Sequence, residues 1–298
     1  MDFAQFGGRI HRRTYLQFMT AAALLPIASG QELGRESAPA EVWQCPMEPE
    51  VRAPEAGKCP RCGMTLVLHV PDRIEFPLEL TYSPPVLRPG TTATFDLRVI
   101  NPVKGQPETS FQIVHDKLMH LFVVSDNLEF FAHVHPEPLA NGLFRLPIQL
   151  PHGGMYRVLA DFYPTGSVPQ LAAKTVFVSG PPPNKHIVPA VAPVKCDNLA
   201  ASLKLEPEQP LAGLESKLFY HLDPGVGLEP YLGAWAHMLI VSEDLIDLMH
   251  LHPFLGGGTP TIQFNVLFPR PGLYRVWAQF QREGVVNTTR FTLPVKEL

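Results

Sequence analysis

Two stretches of this chain repeat each other at a constant offset of 117 residues. Residues 114–136 read VHDKLMHLFVVSDNLEFFAHVHP, and residues 231–253 read YLGAWAHMLIVSEDLIDLMHLHP. Further along, GGMYRVLADF returns as PGLYRVWAQF with a one-residue slip. A repeat of this length predicts two copies of one fold, each of about 100 residues, which is an ordinary size for a domain.

The pattern inside each copy is that of β-strands. Short alternating runs such as residues 94–99 are interrupted by Pro, Gly and Asn, which are turn signals. The 33 prolines are about twice the usual share and disfavour long helices. We therefore predict an all-β protein with two tandem β-sandwich modules of the immunoglobulin or cupredoxin type.

Composition shifts along the chain predict six segments. They are an export signal (1–30), a linker (31–41), a cysteine-rich segment (42–70), a first β-sandwich module (72–180), a proline-rich linker (181–193) and a second module (194–298). The net charge of -4 provides no basic surface, so no nucleic-acid partner is expected.

The N-terminus has the pattern of an export signal. Arg12 and Arg13 precede an apolar run over residues 18–28, which is shorter than the roughly 20 residues that a bilayer-spanning helix needs. The paired arginines resemble the twin-arginine signal of bacteria, although His11 and Gln17 depart from its usual pattern. We expect export to the periplasm or the outside, with no membrane span in the mature chain. Ordinary secretion and a buried N-terminal helix are the alternatives.

Each copy of the repeat carries three histidines on one predicted hairpin. In the first copy, a turn centred on residues 126–127 would place His120 directly opposite His133, with His135 two residues further on the same face. The same reading of the second copy groups its three equivalents, which are His237, His250 and His252. A slip of one residue in register would break either cluster.

Three neutral imidazoles that converge on one point suit copper or zinc. The alternative is that they are hydrogen-bonded structural residues. Their neighbours differ between the copies, since residues 118–119 read Leu-Met and residues 235–236 read Trp-Ala, whereas all three histidines recur. This contrast favours metal binding. His115 is matched by Leu232, so we expect it to be an accessory at best.

The segment CPMEPEVRAPEAGKCPRCGMTL contains three of the four cysteines. Cys59 and Cys62 have the two-residue spacing that lets both thiolates reach one ion, and Cys45 supplies a third sulfur. Met47 and Met64 could add thioether ligands. A set so rich in sulfur prefers soft ions such as Cu(I).

Residues 43–67 resemble the small heavy-metal-binding domain that accompanies copper and silver efflux components. The shared positions are Cys45, Pro46, Met47, Pro49, Gly57, Lys58, Cys59, Pro60, Cys62, Gly63, Met64 and Leu66. The chain departs at Glu48, where that family has His, and at Ala56, where Pro is usual. The resemblance implies a heavy-metal ligand and a metal efflux system as a partner. The change at Glu48 weakens a four-ligand zinc site, because the fourth ligand becomes a carboxylate or is missing.

The cysteines have a second reading, because four of them in an exported chain could form two disulfides, with Cys196 pairing into the segment. Cys196 is more simply explained as a free or buried thiol, since it has no partner nearby in sequence.

Three functions follow from these patterns. The first is an exported protein that binds copper, as Cu(I) at the sulfur ligands and as Cu(II) or Zn(II) at the histidines, for resistance, storage or delivery. The second is a metal-dependent enzyme with an open position at a three-His site. No carboxylate recurs beside the histidines, because Asp161 is matched by Gln279 and Asp116 by Gly233. The third is a β-sandwich protein for adhesion or partner binding without metal.

Overall fold

The computed structural model describes residues 42–254 and 256–298. It confirms the predicted fold class, because this part of the chain is nearly all β-structure, with a duplicated sandwich and a cysteine-rich segment ahead of it. The predicted export signal and the 31–41 linker lie outside the described residues. Within the described ranges no helix is long and apolar enough to cross a membrane.

The cysteine-rich segment contains one two-stranded antiparallel sheet, made of β1 (Trp43–Gln44) and β2 (Arg52–Ala53). The segment is too small to bury a large apolar core of its own. Its interior is instead built on the three cysteine side chains, with Met64, Leu66 and Tyr163 packed around them.

The first module is a sandwich of two antiparallel sheets. Its strands are β3 (Leu78–Ser83), β4 (Thr92–Asn101), β5 (Gln106–Pro107), β6 (Met119–Ser125), β7 (Phe131–Val134), β8 (Glu137–Pro138), β9 (Leu143–Gln149), β10 (Gly154–Phe162) and β11 (Gln170–Val178). One sheet has the order β3-β4-β9-β8, with β5 added to β4, and the other has the order β11-β10-β6-β7. A 3₁₀ turn over Ala140–Gly142 precedes β9.

The second module repeats this plan. Its strands are β12 (Val194–Lys195), β13 (Ala200–Glu206), β14 (Glu215–Asp223), β15 (Leu228–Glu229), β16 (His237–Ser242), β17 (Leu248–Leu251), β18 (Thr261–Leu267), β19 (Gly272–Arg282) and β20 (Val285–Val295). One sheet is β12-β13-β14-β18, and the other is β15-β19-β16-β17, with β20 paired to β19.

Strand β6 is buried along its whole length because both of its faces are covered. Leu121 and Val123 face the core of the first module, whereas Phe122 and Val124 pack against the second module. His120 lies on the same face as Phe122, since side chains alternate along a strand. The apolar part of this module interface consists of Phe122, Val124, Leu128, Leu159, Leu239, Val241, Leu245 and Trp277. Burying each large apolar side chain stabilises the packing of the two modules by roughly 1.5–3 kcal/mol. This packing fixes the positions of the histidines that lie beside the interface.

The predicted register of the histidine hairpins is wrong by two residues. His133 pairs with Phe122 instead of His120, and His250 pairs with Leu239 instead of His237. The cause is a longer loop, because the hairpin closes between Ser125 and Phe130, whose backbone groups are hydrogen-bonded at 3.2 Å. A shift of two residues keeps every side chain on its predicted face, so the histidines still converge.

Candidate metal sites

The first histidine site consists of His120, His133 and His135. The Nδ1 atom of His120 lies 3.0 Å from Nε2 of His133 and 3.1 Å from Nε2 of His135. Two nitrogen ligands 2.0–2.1 Å from one zinc ion at the tetrahedral angle would be about 3.3 Å apart. The three nitrogens are therefore spaced as ligands of one ion, and all three lie within 4.8 Å of one another.

The opposite nitrogens of this site are held by hydrogen bonds. His120 donates from Nε2 to the carbonyl oxygen of Val114 at 3.0 Å, and His133 donates from Nδ1 to Oε1 of Gln279 at 2.6 Å. The Gln279 amide is oriented by its own donation to Oγ1 of Thr288 at 3.1 Å. The lone pairs of His120 Nδ1 and His133 Nε2 consequently face each other, and a cation between them would stabilise this arrangement.

The second copy of the repeat builds its site in the same way. His237 donates from Nε2 to the carbonyl oxygen of Tyr231 at 3.0 Å, and its Nδ1 atom lies 3.4 Å from Nε2 of His250. His250 donates from Nδ1 to the carboxylate of Asp161. Metal-binding histidines typically have such partners, which fix the tautomer and the direction of the free nitrogen.

His115 belongs to the second site, although it comes from the first module. His115, His237 and His252 present ring nitrogens within 4.8 Å of one another, and the rings of His115 and His252 are 3.9 Å apart between centroids. The sequence predicts at best an accessory role for His115, whereas the structure groups its ring with those of His237 and His252. The converging ring nitrogens of the second site therefore come from His115, His237 and His252, and His250 lies beside them, with its Nε2 atom 3.4 Å from Nδ1 of His237.

Three ring nitrogens in the second site are buried and have no hydrogen-bonding protein group within the described ranges. They are the Nε2 atom of His115 and both nitrogens of His252, whose residues are 8% and 3% exposed. Leaving a buried polar group without a partner costs about 1–3 kcal/mol. A bound metal ion is the partner that this donor set fits, because neutral imidazole nitrogens are good ligands for copper and zinc.

The two modules exchange their supporting residues. Asp161 pairs in the sheet with His120 of its own module, and Gln279 pairs likewise with His237. Each side chain nevertheless hydrogen-bonds to a histidine of the other module, Asp161 to His250 and Gln279 to His133. In the sequence these two positions match each other but differ in residue type. The mismatch argues only against a catalytic carboxylate that recurs in both copies, and the packing of the modules gives both residues a supporting role.

Burial keeps these histidines in the neutral form. It lowers the pKa to about 3 for His115 and to about 4 for His120 and His135, and it holds the pKa of His133, His237 and His252 well below the usual value. Repulsion from neighbouring imidazoles lowers these pKa values further. At neutral pH the site nitrogens therefore have lone pairs available for a metal ion.

The cysteine cluster brings together Cys45, Cys59 and Cys62, all buried and with sulfur atoms within 4.8 Å of one another. The sulfur atoms of Cys45 and Cys62 are 3.5 Å apart, close to the roughly 3.8 Å expected of two thiolates on one zinc ion. Hydrogen bonds from the other two cysteines lower the pKa of Cys59, which favours its thiolate. Of the predicted thioethers, Met64 is buried in this cluster and Met47 packs against it.

Glu48, at the position where the resembling family has His, is engaged by an arginine. Its Oε2 atom lies 3.0 Å from Arg61 Nη1, and its backbone N–H donates to the sulfur of Cys45 at 3.3 Å. The carboxylate is thus directed to Arg61, which leaves three cysteine sulfurs and nearby methionine as the ligand set. Three sulfur ligands fit a soft ion such as Cu(I).

The structure offers no support for the disulfide alternative, because all four cysteines are free within the described ranges. Cys196 packs against the core of the second module, and its thiol donates to the carbonyl oxygen of Thr288 at 3.5 Å. It is not part of the cysteine cluster.

No curated protein matches this chain. Among solved structures, the Yersinia pseudotuberculosis adhesin InvE is 11% identical, with 72% of this chain and 58% of that chain covered and a TM-score of 0.24. The Escherichia coli adhesin FdeC is 13% identical, with coverages of 78% and 70% and a TM-score of 0.26. Salmonella alpha-2-macroglobulin is 17% identical, with coverages of 76% and 15% and a TM-score of 0.23. The chain thus spans less than two thirds of InvE, and at these TM-scores the likenesses carry no argument.

Family comparisons are more informative. The heavy metal binding domain family matches residues 42–70, which contain the cysteine cluster, and together with the histidine clusters this indicates metal binding. A second family, described as a domain of unknown function (DUF8832), matches residues 74–179 and 195–297, which are the two sandwich modules. The two segments matched by DUF8832 alone cover more than half of the chain, so the chain belongs to the DUF8832 family. The domain is present twice in tandem behind a heavy metal binding domain.

Proposed function

We propose that this chain is an exported protein that captures heavy-metal ions, with copper as its ion, for resistance, storage or delivery. The observation that carries the proposal is the orientation of the histidines at the module interface. Four of them, His120, His133, His237 and His250, use one ring nitrogen for a hydrogen bond to protein and turn the other toward a neighbouring histidine. A structural role alone requires no such convergence of lone pairs.

The ligand types assign ions to sites. Cys45, Cys59 and Cys62, with Met47 and Met64 beside them, suit Cu(I), because thiolate and thioether are soft ligands. The two histidine sites suit Cu(II) or Zn(II), because neutral imidazole binds these borderline ions well. A protein with both kinds of site can hold copper in either oxidation state.

Burial supports binding and holding more than catalysis. His237 and His252 are 2% and 3% exposed, so a substrate larger than the ion itself has little access to these two histidines. The carboxylate of Asp161 is already engaged with His250, so it is not free to act as a catalytic base. These contacts suit an ion that is retained rather than one that turns over substrate.

Export and a metal efflux system as partner complete the proposal. They rest on the twin-arginine-like residues Arg12 and Arg13 and on the resemblance of the cysteine-rich segment to efflux-associated domains. Cell fractionation of the full chain, with R12K/R13K as the altered form, tests the first point. Export requires that the wild type lies outside the cytoplasm and that the variant accumulates inside.

Metal content after separate loading with Cu(I), Cu(II) and Zn(II) tests the binding proposal. The variants are C45S/C59S/C62S, H133A/H135A and H250A/H252A, with H152A/H186A as a matched control at two exposed histidines outside the clusters. We expect the cysteine variant to lose Cu(I), each clustered histidine pair to lose one divalent ion, and the control to lose none. Absence of tightly bound metal from folded wild-type protein would contradict the proposal.

A further inference from the structure

A cavity of about 240 Å³ lies between the cysteine-rich segment and the second histidine site, and it is open to solvent on one side. Its lining includes Cys62 and Met64 of the cysteine-rich segment and His115 of the second histidine site. The cavity is therefore lined by residues of two different candidate metal sites.

His115 is the residue that joins the cavity to the second histidine site. Its Nε2 atom is buried without a hydrogen-bonding protein group in the described part of the chain, and its ring stacks near that of His252. Its backbone has a positive φ of 50°, and the matching Leu232 has 51°. The loop shape thus comes from the repeat, and both loops reach the cavity, through His115 and Gly233, but only the first copy has an imidazole at this position.

The cysteine-rich segment is fixed against both modules, so its sulfur atoms have a defined place at the cavity. Tyr163 of the first module is buried among the cysteines, with Val114 packed beside it. The guanidinium of Arg61 lies over the ring of Phe254 in the second module, 5.3 Å from its centroid. These contacts hold the cysteine cluster on the side of the module interface where His115 lies.

We propose that this cavity is a transfer passage in which metal ions move from the sulfur ligands at Cys62 and Met64 to His115, and from there to His237 and His252. The inference rests on the proposed function and adds a route to it. Both steps are ligand exchanges. In the first, a metal–sulfur bond breaks as a metal–nitrogen bond to His115 Nε2 forms, and in the second, that bond breaks as metal–nitrogen bonds to His237 and His252 form. The oxidation state is unchanged, and the released thiolate takes a proton from solvent or the next incoming ion.

The test follows the filling of each histidine site in the full chain. Zn(II), which both thiolate and imidazole can bind, is added without oxygen to metal-free protein, in an amount sufficient for all three clusters, and the imidazole ¹⁵N signals are recorded with time. The informative variant is T65W, because Thr65 is exposed and lines the cavity but is not a ligand. T65S is its matched control, and the first histidine site, which does not line the cavity, is the internal control.

We expect T65W to slow the filling of His237 and His252 by about tenfold or more, with the same final metal content and no change at the first histidine site. C62S and C45S/C59S/C62S should also slow the second site, because they remove the sulfur that passes the ion on. Filling of the second site at the wild-type rate in T65W, or in both cysteine variants, would overturn the passage. If the imidazole signals of folded protein never respond to metal, the histidine sites themselves, and with them the proposed function, would be wrong.

Discussion

The two histidine sites derive from one repeat, yet they differ in ligands and in supporting charge. The first has three imidazoles, one of them supported by the neutral amide of Gln279. The second groups His115, His237 and His252, with His250 beside them supported by the carboxylate of Asp161. The hairpins are equivalent, so the difference comes from how the modules pack on each other. Duplication supplied the hairpin geometry, and the module interface made the two sites unequal.

The largest expected effect is the loss of one whole site. H237A removes the imidazole that contacts both His250 and Tyr231, so the second site should lose its ion while the first keeps its own. At an ion concentration about 1,000 times Kd, bound metal raises the free energy of unfolding by about 4 kcal/mol, and the variant should lose this contribution. Thermal unfolding with and without Zn(II), with H120A as the mirror variant, measures it. Equal loss of metal from both sites in either variant would show that the sites act as one.

A smaller effect should follow from exchanging the supporting residues. D161N removes the carboxylate from His250, and such changes typically lower metal affinity about 10–100-fold. Only the second site should weaken, whereas Q279E should strengthen the first by giving His133 a charged acceptor. Competition titration against a chelator of known affinity measures both. Unchanged affinity in D161N would mean that this contact does not tune the ion.

His115, which has no histidine counterpart in the repeat, provides a finer comparison. H115L gives the second site the residue that the repeat has at position 232, so its affinity should fall about tenfold, toward that of the first site. L232H is the converse variant and should bring the first site closer to the second, because Leu232 is the repeat equivalent of His115 and has the same backbone conformation. Zn(II) titration by calorimetry compares them. If H115L binds zinc as tightly as the wild type, His115 is not a ligand.

The smallest expected effect is on the pH dependence of stability. The folded pKa of His120 and of His135 is about 4, below the unfolded value of about 6.5, so the unfolded chain binds more protons between these values. The free energy of unfolding of metal-free protein should therefore be greatest above pH 6.5 and should fall as the pH drops toward about 4.

Replacing His135 should reduce the slope of the unfolding free energy against pH by up to the equivalent of about one proton. Chemical denaturation at a series of pH values measures the slope. A slope that is the same in H135N as in the wild type would mean that His135 titrates normally in the folded protein.

Much of this arrangement can be predicted from the sequence. The offset of 117 residues and the alternation of side chains identify the sandwiches and place each three-His set on one face. The pairing itself was predicted wrongly, because the loop between Ser125 and Phe130 is longer than a two-residue turn. The fold tolerates that error, since a shift of two residues preserves the face.

The remaining features depend on packing between distant parts of the chain. His115, Asp161 and Gln279 act across the module interface, and no local pattern states which surfaces of two sandwiches meet. Likewise, the partner of Glu48 is Arg61, which lies within the cysteine-rich segment but makes its contact only in the folded form. Sequence spacing identifies ligands within one hairpin and misses those that arrive from another module.

The most direct test of the central claim is X-ray absorption spectroscopy of Zn(II) bound to the C45S/C59S/C62S variant. In this variant only the two histidine sites can hold the ion. The account predicts two zinc ions per chain with nitrogen ligands, mainly imidazole, at about 2.0–2.1 Å. A folded variant that binds no zinc, or binds it only through oxygen ligands, would show that the converging histidines are structural and would contradict the account.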